Sequence, residues 1–418
     1  MSFASAEDVM KITERIIQVL WQTFFRTTIF PQKIRYPLEY KMRDIPHHAP
    51  LYFPQVTYQH AMTTWGSDKP DTRFGSRIRQ AQDFLDETLK SRITSLEDPI
   101  IDLMRVRVSS PEQTKKFISS FLDRPSASAY MDNSHGAPGI FIFDPSKPMN
   151  GLSAFEHDAA EKIVQLLHPA RGDLLVLQAR PNRPFMGESS TMIGNLRRDL
   201  HMALVSEDIS RKPAGHDFVW VTHFPLFSPT NDADPGQGGM AGIKSTHHPF
   251  TAPKTLSDVD KLTTDPLSCT ADHFDLVIDG VEVGGGSRRI HDSKVQEMVL
   301  KDILKVPEKQ AEEFRPLLEA LRAGCPPHAG IALGFDRLMA ILRQTSSVRD
   351  VIAFPKSANG EDKMVGAPSS VGVQRWAEYH MTVEGGEDGR DAREKKDELT
   401  GGSSEVEQEL RNAAGPSS

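Results

Sequence analysis

Two β-rich runs, HFDLVIDG at 273–280 and VEVGGGSRRI at 281–290, stand end to end. Together with DFVWVTHFP at 217–225 they make a meander of β-branched and aromatic residues, and strands joined this closely pair antiparallel. Helical segments follow at 293–304 and 308–323. GIALG at 330–334 then runs into FDRLMAILRQT, which sets Leu338, Ile341 and Leu342 on one helix face. The expected fold class is α+β, an antiparallel sheet backed by helices.

Inside the second run, glycines 284–286 separate Glu282 from Arg288 and Arg289. A dinucleotide fingerprint needs Gly-x-Gly-x-x-Gly opening a helix, and a P-loop needs Gly-Lys-Ser/Thr; the segment meets neither. Glycine weakens a strand, so three of them mark a bulge or a place where something approaches the backbone. A flat ligand on the sheet is one reading, and a bulged edge strand with surface charges is the other. On the first, Glu282 and Asp275 could share a divalent cation that bridges nucleotide phosphates, while an arginine fork binds a carboxylate or phosphate. In THHPFTAP (246–253), His247 and His248 face opposite ways if extended, so they cannot chelate one metal together; one can point into a pocket while the other packs outside. In GIALGFDRL, Arg337 opens a helix, where it either neutralises phosphate charge or, with Asp336, is a first-turn surface charge.

At 418 residues the chain is long enough for two or three domains. It has no apolar run approaching the ~18 residues of a membrane helix, and no membrane partner is expected. A net charge of −8 argues against a broadly basic nucleic-acid-coating surface but leaves room for a local basic groove. Cys269 and Cys325 are too few for a disulfide framework and lack zinc-site spacing, which fits a reducing compartment. The start has neither a secretory apolar region nor a transit-type composition. Ser5 and Asp8 form a capping-box pattern, and Val9, Ile12, Ile16, Leu20 and Phe24 recur at helical spacing. Residues 32–75 read as strands and loops. A small α+β module spans 98–215, with helices around 111–122, 153–167 and 189–203 and strands at 139–144 and 173–180. Residues 226–246 read as a flexible loop, and the charged, apolar-poor stretch from about 382 as a disordered tail.

Taken in order, YQHAMTTWGSDKPDTRFG, THHPFTAP, FDLVIDGVEVGGGSRRIH, PPHAGIALGFDRLMAIL and SVRDVIAFPKSANGEDKMVGAPS resemble the class II aspartyl-tRNA synthetases of bacterial and mitochondrial type, over nearly everything from residue 1 to 372. The resemblance implies a class II aminoacyl-tRNA synthetase antiparallel sheet flanked by helices, with an inserted small α+β domain. The catalytic domain would occupy 1–97 and 216–372, the insert 98–215, and a C-terminal helix end with a disordered acidic tail 373–418. The implied reaction activates aspartate with ATP to aspartyl-adenylate and transfers the aspartyl group to the 3′ end of tRNA. By the same resemblance, Asp275 and Glu282 hold Mg2+ on the ATP phosphates, Arg289 grips the substrate's side-chain carboxylate, and His247 contacts aspartate. Gly334, Phe335, Asp336 and Arg337 match the family's third motif, which binds ATP, and Arg337 and Glu282 are the expected catalytic residues. Aspartate and the acceptor end of tRNA are the implied partners, with a homodimer in the family. The mitochondrial matrix is the expected location, with the cytoplasm as the alternative. Ser2-Phe3 matches the end of the family's second motif, so an N-terminally truncated form is expected; a catalytically inactive binding or regulatory protein is the alternative function.

Glu282 and Arg289 are seven residues apart, an odd separation that puts them on opposite faces of a regular strand. Both enter one pocket only if the strand breaks parity, expected between 284 and 287. Arg288 beside Glu282 on the pocket face would overturn the Arg289 assignment.

Overall fold

The computed structural model describes residues 1–25, 53–230, 239–371 and 373–380, so the expected acidic tail lies outside the described residues. By proximity the chain divides into two units, Met1–Gln344 and Thr345–Ser418. In chain order the strands of the first unit are β1 (Gln55–Thr57), β2 (Ile78–Gln80), β3 (Pro99–Val106), β4 (Gly139–Ile142), β5 (Leu174–Pro181), β6 (Phe218–Thr222), β7 (Phe227–Pro229), β8 (Ile243–Ser245), β9 (His273–Ile278), β10 (Val281–Arg288) and β11 (Ala329–Leu333).

Five of them form one sheet in the order β1-β6-β9-β10-β11. The meander pairs antiparallel throughout, from β6 to β9, β10 and β11. β1 joins at the other edge, parallel to β6. Asp279 and Gly280 connect β9 to β10 with φ of 56° and 80°. A two-residue turn with both φ positive matches the right-handed twist of its strands, which is why Asp-Gly occurs there.

Alternation along the strands divides the core in two. Phe218, Trp220, Phe274, Leu276 and Ile278 face the helix Ala6–Phe25, while Val219, Val221 and Val277 face the helix Tyr58–Trp65. The capping box forms as expected: Asp8 N–H donates to Ser5 Oγ at 3.2 Å and Ser5 N–H to Asp8 Oδ2 at 2.9 Å. The buried stripe differs from the expected one. Val9, Met10, Thr13, Ile17 and Trp21 are buried, whereas Ile12, Ile16 and Phe24 stay about half exposed. The sheet chose the stripe because it offers partners that hydrophobicity does not reveal. Buried Glu14 accepts from Phe53 N–H at 2.8 Å and Trp220 Nε1 at 2.9 Å, and Trp21 meets Phe218 edge-on at 5.0 Å.

The helix Tyr58–Trp65 corrects the reading of 32–75 as strands and loops; residues 26–52 lie outside the described residues. Thr57 caps its start by accepting from His60 N–H, and Gly66, left-handed at φ 67°, ends it. Thr-to-Gly bracketing only eight residues is a weak helix signal beside so many prolines. The expected loop at 226–246 is partly ordered as well. β7 and β8 pair from its two ends, and 231–238 lies outside the described residues.

A second sheet, β2-β3-β5-β4, is antiparallel throughout. The helices Pro111–Leu122 and Met192–Ser206 cover one face and His157–Leu167 the other, each over its own apolar core. The last two helices start later than expected because Glu156 and Thr191 are extended capping residues. The second sheet's helix Met192–Ser206 is locked to the first sheet's helix Tyr58–Trp65 by two glycines. Thr191 N–H donates to Gly66 O at 2.8 Å, and a Cβ on Gly194 would lie 2.0 Å from that same oxygen. Among the described residues no helix is long and apolar enough to cross a membrane.

His201 offers a stability test away from the site. It stacks on Phe74 at 4.4 Å and its Nε2 lies 2.9 Å from Ser76 Oγ. Burial, with the Arg197 charge adding, pulls its pKa down to about 4. An unfolded histidine titrates near pH 6.5, so between those values the unfolded chain binds the extra proton and stability falls as pH drops. The loss attributable to His201 should reach on the order of 2 kcal/mol by pH 5. Urea midpoints at pH 7.5 and 5.0 should therefore differ less for His201→Gln than for the wild type; an unchanged difference would remove His201 from the acid response.

Candidate active site

β10 and β9 pair as Val281↔Ile278 and Glu282↔Val277, then as Gly284↔Leu276, which leaves Val283 without a partner. That β-bulge is the expected parity break, but it lies before the 284–287 window. The reason is β11, whose unbroken pairing from Gly284↔Leu333 to Arg288↔Ala329 holds the glycines in regular register. The spare residue turns inward: Val283 is 1% exposed, in the core cluster of Phe274 and Leu338. Past it the phase is shifted, so Gly285, opposite Asp275, and Ser287, opposite His273, face the same side as Glu282.

The glycines serve two faces. A Cβ on Gly285 would stand 2.8 Å from Asp275 Oδ1 and 3.6 Å from Glu282 Oε1, so both carboxylates border the space it leaves. On the opposite face, a Cβ on Gly286 would meet Gly330 O at 2.5 Å and the Phe274 ring at 2.6 Å. There the requirement is packing.

Asp275 is 2% exposed, and His273 Nε2 lies 2.8 Å from its Oδ1. With Asp275 ionised, Nε2 carries the proton and Nδ1 is an acceptor, buried with no partner among the described residues. His247 stacks on His273 at 3.5 Å and 19°, and Phe224 meets both rings edge-on. Burial pulls both histidines down to about 3 and pushes the Asp275 carboxyl up. One ligand atom each from His247, His273 and Asp275 lie within 4.8 Å of one another. The stacked rings send their in-plane lone pairs side by side instead of toward one point, which disfavours a shared transition metal. Asp275 and Glu282 instead offer hard oxygen donors suited to a divalent cation such as Mg2+. His248, the outward member of the dipeptide, is exposed and stacks on Phe250.

Two residues that sequence reasoning did not assign complete the acidic end. Lys69 Nζ donates to Asp68 Oδ2 at 2.8 Å and stands 3.5 Å from Glu282 Oε2. Burial raises Asp68 to about 6, with Asp275 and Glu282 adding and Lys69 opposing. Burial works against the Lys69 charge, yet Asp68, Asp275 and Glu282 together raise its pKa. The signal was present, since both lie in the quoted GSDKPD segment. His273, also unassigned, sits two residues before Asp275 on the same strand face.

The expected residues do not all converge. Gly334 caps the helix Phe335–Leu342 and donates its N–H to Val283 O at 2.7 Å, which brings Arg337 back over β10. Arg337 Nη1 donates to Glu282 O at 3.0 Å and lies 3.9 Å from Glu282 Oε2. Phe335 and Asp336 are exposed and join none of these contacts. Arg288 is committed elsewhere, with Nε donating to Asp272 Oδ2 at 2.7 Å and Nη2 to Pro253 O at 2.5 Å. Arg289 holds its guanidinium 4.3 Å over the Phe250 ring. It lines a cavity of about 390 Å³ with Ile290, Leu317 and His328, which neither Asp275 nor Glu282 borders. The expectation that Glu282 and Arg289 enter one pocket is therefore not met by this cavity, which Arg289 lines without the carboxylates.

Residues 1–358 match the profile of the tRNA synthetases class II (D, K and N). The chain belongs to this family. Its β1-β6-β9-β10-β11 sheet with flanking helices is the α+β class II synthetase fold. The chain is 35% identical over 334 residues to the mitochondrial aspartate–tRNA ligase of Schizosaccharomyces pombe, covering 79% of this chain and 51% of that one. It is 31% identical to the mitochondrial aspartate–tRNA ligase of Dictyostelium discoideum (89% and 51%) and 31% identical to the aspartate–tRNA(Asp/Asn) ligase of Bifidobacterium longum (90% and 57%). Among solved structures, the aspartyl tRNA synthetase of Entamoeba histolytica aligns over 68% of this chain and 48% of its own, at 13% identity and a TM-score of 0.26. The chain spans about half the length of the curated relatives it matches.

The two-faced glycines of this synthetase sheet should respond differently to one added methyl. Gly285→Ala would displace the Asp275 carboxylate and weaken Mn2+ binding at least about tenfold with a melting temperature near wild type. Gly286→Ala would collide with backbone and a core ring, costing about 2–4 kcal/mol by urea titration. Equal loss of stability in both would show that the glycines serve packing alone.

Proposed function

We propose that the chain acts as an aspartate–tRNA ligase. The observation that carries this reading is Arg289, a guanidinium shielded by Phe250 and lining a cavity, with no hydrogen bond or ion pair among the described residues. A partly desolvated, unpaired fork is suited to a carboxylate on a small ligand, and it disfavours an amide in the same place. Its neighbour Arg288 already has its carboxylate, which supports assigning Arg289 as the substrate arginine. The names of the curated relatives support aspartate as the substrate.

In this reading the α-carboxylate of aspartate attacks the α-phosphorus of ATP, the bond to the β-phosphate breaks and pyrophosphate leaves. The 3′-hydroxyl of tRNA then attacks the acyl carbon, releasing AMP. Mg2+ bound at Asp275 and Glu282 would neutralise phosphate charge. The hard oxygens of this pair and the gap at Gly285 fit such an ion. Arg337, tethered to the Glu282 carbonyl, would stabilise charge on the transferring phosphate, and Gly334, Phe335 and Asp336 are assigned as the rest of an ATP-binding turn. His247, uncharged and inward, is assigned to contact aspartate. Residues 98–215 are assigned as the inserted domain, whose sheet also includes β2 upstream. The location we assign is the mitochondrial matrix, on the names of the mitochondrial relatives; the cytoplasm is the alternative that the bacterial ones support.

Calorimetric titration should show aspartate binding preferred over asparagine, and Arg289→Gln should weaken aspartate about tenfold to a hundredfold, the worth of a charge-assisted pair. Aspartate-dependent ATP–pyrophosphate exchange tests the chemistry. Aspartate binding without exchange would assign a binding role in place of catalysis, and aspartate binding unaffected by Arg289→Gln would overturn the substrate arginine.

A further inference from the structure

The loop that carries Lys69 is held at both ends. At one, Gly66 is clamped against Gly194, and Asp68 N–H donates to Ser189 O at 3.1 Å. At the other, Arg73 pairs with Asp71 at 2.7 Å and Asp279 at 3.1 Å, while Gly280 leaves room for Asp71, whose Cβ would stand 2.9 Å from an added methyl. The loop is thereby fastened to the β9–β10 turn, two residues from Glu282. Within it Ser67 Oγ accepts from Lys69 N–H at 3.1 Å. So the lysine does not reach Glu282 by chance of a long side chain; its backbone is fixed there by the second sheet's helix on one side and the hairpin turn on the other.

We propose that Lys69 is a positioning residue of the site, a tethered cation that holds Glu282 between Asp68 and Arg337 and keeps a divalent cation from settling on Asp275 and Glu282 until a nucleotide's phosphates arrive. The proposal rests on the metal and nucleotide reading above. The geometry gives the ammonium two carboxylate partners, Asp68 at 2.8 Å and Glu282 at 3.5 Å, with Arg337 at 3.9 Å from the same Glu282 oxygen. A divalent ion approaching Glu282 alone meets both positive charges. Phosphate oxygens offer Lys69 an alternative partner, so the ammonium can leave Glu282 as the negative charge of the nucleotide enters. Removing the ammonium leaves the buried Asp68 carboxylate without its partner, so some stability is lost, and a variant that keeps the charge separates that loss from the effect on ligands.

The test measures two ligands separately on the whole chain: Mn2+ alone, followed by the electron paramagnetic resonance of the free ion, and ATP alone in EDTA. Lys69→Met keeps the apolar stem and removes the charge. It should tighten Mn2+ about tenfold and weaken metal-free ATP about tenfold, the size expected for one screened charge at this range. Lys69→Arg should restore wild-type values for both, and each variant should still unfold in a single cooperative transition well above the assay temperature. Mn2+ affinity that stays the same or falls in Lys69→Met would overturn the proposal. Glu282→Gln separates the two levels. If it abolishes Mn2+ binding while Lys69→Met changes nothing, the metal site stands and the role of Lys69 fails; if Glu282→Gln binds Mn2+ as the wild type does, the Asp275–Glu282 metal reading fails first.

Discussion

Val283 has no partner across β9, and the sheet resolves this by drawing its side chain into the core with Phe274 and Leu338. The insertion displaces Glu282 by one phase relative to the glycines, so that Glu282, Gly285 and Asp275 share a face. The same residue's carbonyl accepts from Gly334 N–H, fixing where the helix Phe335–Leu342 begins and bringing Arg337 to the Glu282 carbonyl. Core packing, the shared face of the two carboxylates and the position of the arginine-bearing helix are therefore consequences of one inserted residue. A bulge is held firmly only when the strand beyond it is regular, and β11 supplies that regularity.

The second sheet contributes to the site without reaching it. Its helix Met192–Ser206 meets the loop after Tyr58–Trp65 at two glycine backbones, an approach that any side chain would block. That contact, with the Asp71–Arg73–Asp279 pairs, turns a flexible proline-bearing segment into a rigid carrier for Asp68 and Lys69. Three carboxylates in so small a volume would repel one another; the tethered ammonium and the His273 proton lower that cost and leave the Glu282 side able to exchange partners.

Much of this was legible. The abutting runs at 273–290 pointed to antiparallel pairing, and the glycines between Glu282 and Arg289 pointed to a break in strand parity close to where one occurs. What was misplaced followed from neighbours. The bulge lies at Val283 because β11 protects the glycines, and the opening helix buries Glu14 in preference to Ile12 and Ile16 because Phe53 and Trp220 supply its hydrogen-bond partners, while buried Thr13 donates its hydroxyl to the Val9 carbonyl. Asp68, Lys69 and His273 went unassigned because their meeting with the rest of the site depends on residues distant in sequence: Lys69 reaches Glu282, and His273 stacks on His247.

By itself, then, the sequence determined the periodicities, the capping signals, the close-packed glycines and the residue types able to bind anions and divalent cations, since these depend on local stereochemistry and functional groups. Tertiary structure decided which of those groups meet. It separated Arg288 from Arg289 by giving Asp272 to the first, turned His247 inward against His273, and placed Lys69 beside Glu282 across more than two hundred residues. Those choices depend on register, burial and distance, which exist only once the strands have paired.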